Sequence, residues 1–521
     1  MPDLPDSLVQ ALDIGQLVPE QYAPYRPLMA EAFDFFLDRL SPRRQAALLA
    51  DQLDLPPDAS PAVRIVSVMR QCPTLHKLGQ VIARDRRLAP DVRRQLQTLE
   101  SLPSAIPTPE ILDVIQRELG GSEGVTVGPR TLAEASVAVV VPFAWREGDG
   151  SSRQEGVFKV LKPGVEARLG EELEIWGALA EFLAERARAY DLPLLECRET
   201  LDQVRDLLLS EIRLDVEQAH LAEAAEFYAG NRLVLIPRLF PFSTARMTAM
   251  ERVDGRKVTE VGDEERRRLA DLIVEALVAM PFWGEAATVM FHADPHAGNL
   301  LCTADRRLAI LDWSLAGRLT KPGREQLVQI LLGALTLDAA RVCGAASALS
   351  TRPPDSAALR SVVAGALAEL RHGAVLGFDW LLGLLDRLAT SGAVGFPADL
   401  LFFRKALLSL SGVVMDVAGQ DALDRGLVCA GLAQFFRELP SRAAAAAHSR
   451  SFGTHVSNAD LFELWTSWPL TAARLWVGVC QDSLEAIGQG PRLQRVVPTT
   501  PYCSRRHLRR PYVQELEFLR P

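Results

Sequence analysis

Lysine is nearly absent from this chain: of 57 basic residues only six are lysines (Lys77, Lys159, Lys162, Lys257, Lys321 and Lys405), and the rest are arginines. A compact, strongly hydrated ammonium is therefore scarce, and each lysine's position carries more information than usual. Cysteine is sparse as well. The seven cysteines never form a Cys-x-x-Cys pair, which excludes a disulfide framework and a zinc knuckle and points to a reducing compartment. No overall basic field exists to collect nucleic acid, because the net charge is −9 and the pI is about 5.6. The start, MPDLPDSLVQALDIG, is acidic and lacks the basic and apolar blocks of a secretory signal. No apolar run approaches the roughly 18 residues of a membrane helix. The nearest, Leu327 to Leu349, is broken by Asp338 and Arg341. A cytoplasmic protein without a transmembrane span is expected, with peripheral membrane contact left open.

What is present is an ordinary globular balance, 48% hydrophobic and 24% charged over 521 residues, enough for one or two large domains. Residues 1–105 show helical periodicity, with Ala30, Phe33, Phe36, Leu37 and Leu40 striping one face and Leu88 to Leu99 repeating the pattern. Pro103, Pro107 and Pro109 interrupt it. The period then changes. Ser136 to Trp145 and Gly156 to Leu161 are apolar, β-branched runs flanking Gly148-Asp149-Gly150, the pattern of an antiparallel hairpin. Helical patterns follow over Glu171 to Tyr190, whose Glu171, Glu172 and Glu174 suit a positive helix N-terminus, and over Glu199 to Tyr228. Strand-like pieces return at Arg232 to Phe240 and Ala245 to Glu251. Beyond Glu264 the pattern is helical except for Thr288 to Asp312.

Four pieces carry chemistry. His292-Ala-Asp294-Pro-His-Ala-Gly-Asn299 has the His-x-Asp-x-x-x-x-Asn spacing of a kinase catalytic loop, where the Asp accepts the nucleophile's proton and the Asn holds Mg²⁺. Thirteen residues on, an apolar run ends at Asp312-Trp-Ser, the shape of the metal-binding Asp-Phe-Gly segment. Lys159 stands in the apolar strand Val157-Phe-Lys-Val-Leu, where kinases place the lysine for the α- and β-phosphates; Glu217, Glu211 and Glu172 are its candidate helical partners. Leu132-Ala133-Glu-Ala135-Ser136 precedes the first strand, where kinases carry a glycine-rich loop.

Over roughly residues 70–325 these pieces resemble the UbiB/AarF/ADCK family of atypical kinases. Pro73-Thr-Leu-His-Lys77-Leu-Gly-Gln80 resembles the family's Lys-x-Gly-Gln motif, and Leu88-Ala-Pro-Asp the segment after it. Ala133-Glu-Ala-Ser136 is similar to its alanine-rich loop, and Lys162-Pro-Gly-Val to the extension after the phosphate-lysine strand. Pro237-Arg238 and Met250-Glu251-Arg-Val-Asp-Gly255 resemble its hinge, and Gly317-Arg-Leu continues the metal-binding segment. The resemblance implies that Ala133, Ala135, Ser136, Lys159, Glu217, Glu251, Gln80 and Glu211 bind ATP or ADP. It implies that Asn299 and Asp312 hold Mg²⁺, and that Asp294, Lys159 and Lys77 are catalytic. It pairs Glu217 with Lys159 and makes Glu211 the first residue of a Glu-x-Asp motif. Five positions depart from the family pattern: Arg213 replaces the second carboxylate of that motif, Ala138-Val139 replaces Gly-Gln, Ala297 replaces proline, and Ser314 replaces glycine.

The expected fold is α+β, a bilobal protein-kinase-like fold. Residues 1–105 would be a helical extension, 106–255 a small antiparallel sheet lobe with inserted helices, 256–440 a large helical lobe with the catalytic and metal loops, and 441–521 a helical or irregular C-terminal part. The expected function is binding of Mg-ATP or Mg-ADP, with ATP hydrolysis or phosphoryl transfer to a small or lipidic acceptor, in support of isoprenoid quinone or lipid metabolism. Lipid or quinone-pathway proteins are the expected partners. Two other readings are a pseudokinase acting as a nucleotide-gated binding module, which Arg213 and Ser314 favour, and a small-molecule phosphotransferase. Two further features are weaker. Trp465, Trp468 and Trp476 could mark an apolar surface, and the basic run Arg505 to Arg510 could touch an acidic partner or anionic lipid.

Overall fold

The computed structural model describes residues 12–83, 88–100, 108–146, 153–190, 205, 208–419, 422–467, 469 and 471. The turn at 148–150, Trp468, Trp476 and the basic run near 505–510 lie outside the described residues. Among the described residues two compact units are formed: one holds those up to Ala222 together with Pro237–Val253, the other Glu223–Ile236 and those from Asp254 onward.

In the first unit, helices α1 (Arg26–Asp38), α2 (Pro42–Asp54), α3 (Pro61–Gln71) and α4 (Pro73–Ile82) follow one another, with proline opening or nearly opening each, a position where its missing N–H costs nothing. Leu28, Ala32, Phe33, Phe36 and Leu37 of α1 are buried at spacings of three and four, one apolar stripe against the core. That core also takes Ile65, Val68 and Met69 of α3, Val92 and Leu96 of α5 (Pro90–Gln97), and Ile175, Trp176 and Leu179 of a long later helix.

The sheet of this unit is wholly antiparallel. β1 (Val125–Val127), β3 (Ala138–Trp145), β4 (Gln154–Leu161) and β6 (Met247–Glu251) lie in that order, with β2 (Ala133–Glu134) also on β3. Its inner face presents Val139, Val141, Phe143, Phe158 and Val160, packed with Ile111, Val114 and Ile115 of α6 (Thr108–Leu119). Alternation along β4 sends Phe158 and Val160 to that core and Lys159 to the opposite face.

Helix α7 (Val165–Ala189) corrects the sequence expectation for its start. It begins six residues before Glu171, because the turn at Pro163-Gly164, with Gly164 at φ 65°, launches it. Glu171 and Glu172 therefore sit in its second turn. The expected helix over Glu199 to Tyr228 is interrupted at Arg213 and resumes as α8 (Leu214–Tyr228); residues 199–204, 206 and 207 lie outside the described residues.

The second unit has two small sheets. In one, β5 (Val234–Leu235) pairs in parallel with β10 (Leu308–Ile310), which pairs with β9 (Leu300–Thr303), which pairs with β7 (Gly255–Lys257). In the other, β8 (Thr288–His292) pairs antiparallel with β11 (Ala316–Thr320). Helix α9 (Asp263–Val274) runs on through a π-helical turn at Glu275–Ala279. α10 (Lys321–Leu335), α11 (Ala339–Ala348), α12 (Ser356–Arg371), α13 (Phe378–Thr390), α14 (Ala398–Ala418) and α15 (Ala422–Ala443) complete the unit's long helices. Among the described residues no helix is long and apolar enough to cross a membrane.

Candidate functional site

The site residues expected from sequence fall into two sets, one in each unit. In the first unit, the Lys159 Nζ donates to both carboxylate oxygens of Glu217, at 2.7 and 2.9 Å, and both side chains are buried. β4 supplies the lysine and the first turn of α8 the glutamate. Glu172 has other partners: it is fully buried, accepts from Arg44 at 2.5 Å, and takes the Thr74 N–H and hydroxyl at 2.9 and 2.6 Å. Burial is the largest influence on that carboxyl and pushes it up, against the pull of Arg44 and Thr74.

Glu211 takes a third position. One oxygen pairs with Lys77 of α4, and the other accepts the Ser136 hydroxyl at 2.7 Å. Gln80, one turn beyond Lys77, donates to the Leu99 carbonyl at 3.2 Å. Ala133 and Ala135 are exposed beside buried Glu134 and Ser136. Glu251 closes β6, where its carboxylate accepts the Arg238 N–H at 3.4 Å. Arg213, at the altered Glu-x-Asp position, makes a two-pronged bond to Asp215 at 2.9 and 2.8 Å on the surface.

In the second unit the catalytic-loop and metal-segment residues flank strands that are bonded together. β8 and β11 place His292 opposite Ala316, the Ala293 N–H reaches the Leu315 carbonyl at 3.1 Å, and the Leu311 N–H reaches the Asn299 carbonyl at 2.8 Å. His292 is the post between the two segments. Its Nδ1 accepts the Asp294 N–H at 3.1 Å, so Nε2 carries the proton and donates to the Leu311 carbonyl at 3.0 Å. Burial holds its pKa down and keeps the ring neutral in this role.

Asn299 donates its amide nitrogen to the Asp294 carbonyl at 3.2 Å, which identifies the other end of its amide as an oxygen acceptor. Asp312 sits at φ 54°, a left-handed conformation that aspartate tolerates better than most residues. The Ser314 N–H at 3.3 Å from its Oδ1 and the fully buried Trp313, bonded to the Ile310 carbonyl at 3.3 Å, hold that turn. Asp312 and Asn299 thus offer a carboxylate and an amide oxygen, the hard donors Mg²⁺ takes. Among the described residues no three His, Cys, Asp or Glu side chains form a metal cluster. Mg²⁺ suits such a sparse set, since it commonly takes one or two carboxylates and completes its shell with phosphate and water.

One pair in the first unit goes unmarked in the sequence. Lys162 and Glu134 form a buried ion pair at 2.5 Å. Glu134 and Lys162 each stand in a segment that resembles the family pattern, but nothing in the sequence pairs the two.

The ABC1 atypical kinase-like domain family matches residues 101–346. An uncharacterised chloroplastic aarF domain-containing protein kinase of Arabidopsis thaliana is 29% identical over 260 residues, 47% of this chain and 46% of that protein. A probable protein kinase UbiB of Pseudomonas fluorescens is 26% identical over 282 residues, 52% of this chain and 51% of that protein. The chain spans about half the length of these relatives. A solved structure of Rv3197 with erythromycin, from Mycobacterium tuberculosis, matches with a TM-score of 0.46 and 18% identity, over 62% of this chain and 83% of that one. The kinase-like pattern of the residues and the family match coincide from the alanine-rich loop to the metal segment, and over residues 101–346 the chain is similar to ABC1 atypical kinase-like domains, as it is to the aarF-domain kinases and UbiB.

Proposed function

We propose that the chain binds Mg-ATP or Mg-ADP and either hydrolyses ATP or transfers phosphate to a small or lipidic acceptor, in support of isoprenoid quinone or lipid metabolism. Lys159, oriented by Glu217, acts on the α- and β-phosphates. Asp312 and Asn299 carry Mg²⁺, and Asp294 positions or deprotonates the attacking oxygen. Catalysis then consists of positioning and charge neutralisation rather than covalent chemistry.

The observation that carries this is the joined pair of segments in the second unit. Neutral His292 ties the backbone of Asp294 to that of Leu311, immediately before Asp312, while Asn299 is fixed on the Asp294 carbonyl. A structural turn alone has no need to assemble a carboxylate, an amide oxygen and a second carboxylate on one bonded frame. Thermal-shift titration tests it: ADP or ATP raises Tm only when Mg²⁺ is present, and Asp312→Asn loses the shift. Ligand at about 100 times Kd adds roughly 2.7 kcal/mol of stability, a readily measured shift. Absence of any shift in the wild type overturns the assignment.

A pseudokinase is the second reading, and Arg213 favours it. Its guanidinium is bonded to Asp215 on the surface, where the family pattern has a carboxylate. Single-turnover assays with labelled ATP separate the two. An active enzyme releases labelled phosphate that Asp294→Asn abolishes, whereas a binding module gives none in either protein.

A further inference from the structure

The tetrapeptide Ala133-Glu-Ala-Ser136 alternates strictly: its alanines are exposed, its two polar residues buried. Glu134 bonds Lys162 at 2.5 Å, and its second oxygen lies 3.9 Å from Arg70 on α3. Glu134 is 8% exposed and Lys162 5%. Burial is the largest influence on Lys162 and pulls its pKa down, while Glu134 opposes it. Two buried charges so placed repay little in stability, because their desolvation offsets most of their attraction. Their cost makes sense if they fix geometry.

The geometry is that of the loop backbone. Lys162 follows directly on β4, and its own N–H donates to the Val137 carbonyl at 2.9 Å, so backbone and side chain of one residue hold both ends of the segment 134–137. The Ala135 N–H closes a turn onto the Ala138 carbonyl at 2.8 Å, and the Leu132 N–H reaches the Val140 carbonyl at 2.8 Å. With the polar side chains tied inward, only methyl groups stand on the outer face, where a phosphate can approach the backbone.

We infer that the Glu134–Lys162 ion pair is a positioning device that sets the alanine-rich loop in its phosphate-accepting conformation. Lys162 is then a second functional lysine on the Lys159 strand path, acting through the loop rather than on the nucleotide. This rests on the nucleotide-binding reading, and two readouts on the full chain keep them apart. Hydrogen exchange of the Leu132 and Ala135 amides, measured without ligand, reports the anchor itself. The Kd for Mg-ADP reports its consequence.

Lys162→Met takes the 2.5 Å bond from buried Glu134, Glu134→Gln takes the counter-charge from buried Lys162, and each lowers Tm. The double variant Glu134→Gln/Lys162→Met removes both charges with little change in volume and returns Tm close to wild type. In the double variant the two amides exchange at least tenfold faster than in wild type, and Mg-ADP binds about tenfold more weakly. Wild-type exchange in the double variant overturns the anchor, whatever the nucleotide does. Faster exchange with unchanged Kd overturns its role in binding. A wild type that binds no Mg-ADP overturns the parent reading and leaves the exchange result to decide the anchor.

Discussion

Lys159 and Glu217 hold each other at 2.7 and 2.9 Å in nearly dry surroundings. Removing one partner takes this charge-assisted contact from the other, still buried, and breaking a buried pair costs roughly 3–5 kcal/mol, whereas removing both is often nearly neutral. Lys159→Met is therefore expected to lose about that much stability in denaturant titration, and Lys159→Met/Glu217→Gln to recover most of it. A surface lysine would show no loss in the single variant. At this scale the lysine is legible in the sequence, because ammonium groups are scarce and this one interrupts an apolar strand. Its partner is harder to read. Glu172, Glu211 and Glu217 all lie in helical patterns, and what separates them is distant in sequence: Arg44 claims Glu172, and Lys77 claims Glu211.

Between elements, the frame of the second unit depends on a glycine. Gly317 on β11 faces Phe291 on β8, and a Cβ there would lie 2.3 Å from the ring. Gly156 faces Phe143 across β3 and β4 at the same distance, so both sheets use an empty position to seat a phenyl ring. Gly317→Ala forces the rigid ring or the strand to move, a destabilisation of about 1–3 kcal/mol, and should also weaken Mg-ADP binding, since β8 ends at His292. Wild-type stability in that variant would show that the strands tolerate separation. A second test concerns the π-helical turn, whose Ala276 carbonyl accepts the buried Tyr228 hydroxyl at 2.8 Å. Tyr228→Phe keeps the ring and removes the hydroxyl's bond to that carbonyl, costing about 0.5–1.5 kcal/mol. The sequence shows β8 and the metal segment as apolar runs but gives no sign of β11, whose strand character comes from pairing. Helix α7 likewise starts earlier than its acidic residues suggest, because a Pro-Gly turn outweighs a charge pattern.

Across the molecule, each unit buries a neutral histidine. His76 in the first and His455 in the second both have pKa values lowered to about 4, chiefly by burial. Their rings bond the Leu99 and Phe282 carbonyls at 3.0 Å. A depressed histidine contributes its stability fully above the ordinary value near 6.5 and loses it as pH falls from there toward 4, because the unfolded chain takes up the proton first. The slope reaches about 1.4 kcal/mol per pH unit for each ring. Denaturant midpoints followed from pH 7 to 4 should therefore fall, and His76→Gln and His455→Gln should each flatten the fall. Parallel profiles in wild type and variants would show that these rings are not the acid-sensitive groups. Both histidines look like ordinary helix or loop residues in the sequence, because burial is a property of the folded unit.

The proposed function stands on the second unit, whose joined segments hold one divalent ion together with a nucleotide. Electron paramagnetic resonance of Mn²⁺ with ADP measures this directly, since bound and free Mn²⁺ are counted in one titration. One nucleotide-dependent Mn²⁺ per chain is expected, abolished by Asp312→Asn. Wild-type Mn²⁺-ADP affinity in the folded Asp312→Asn variant would contradict it.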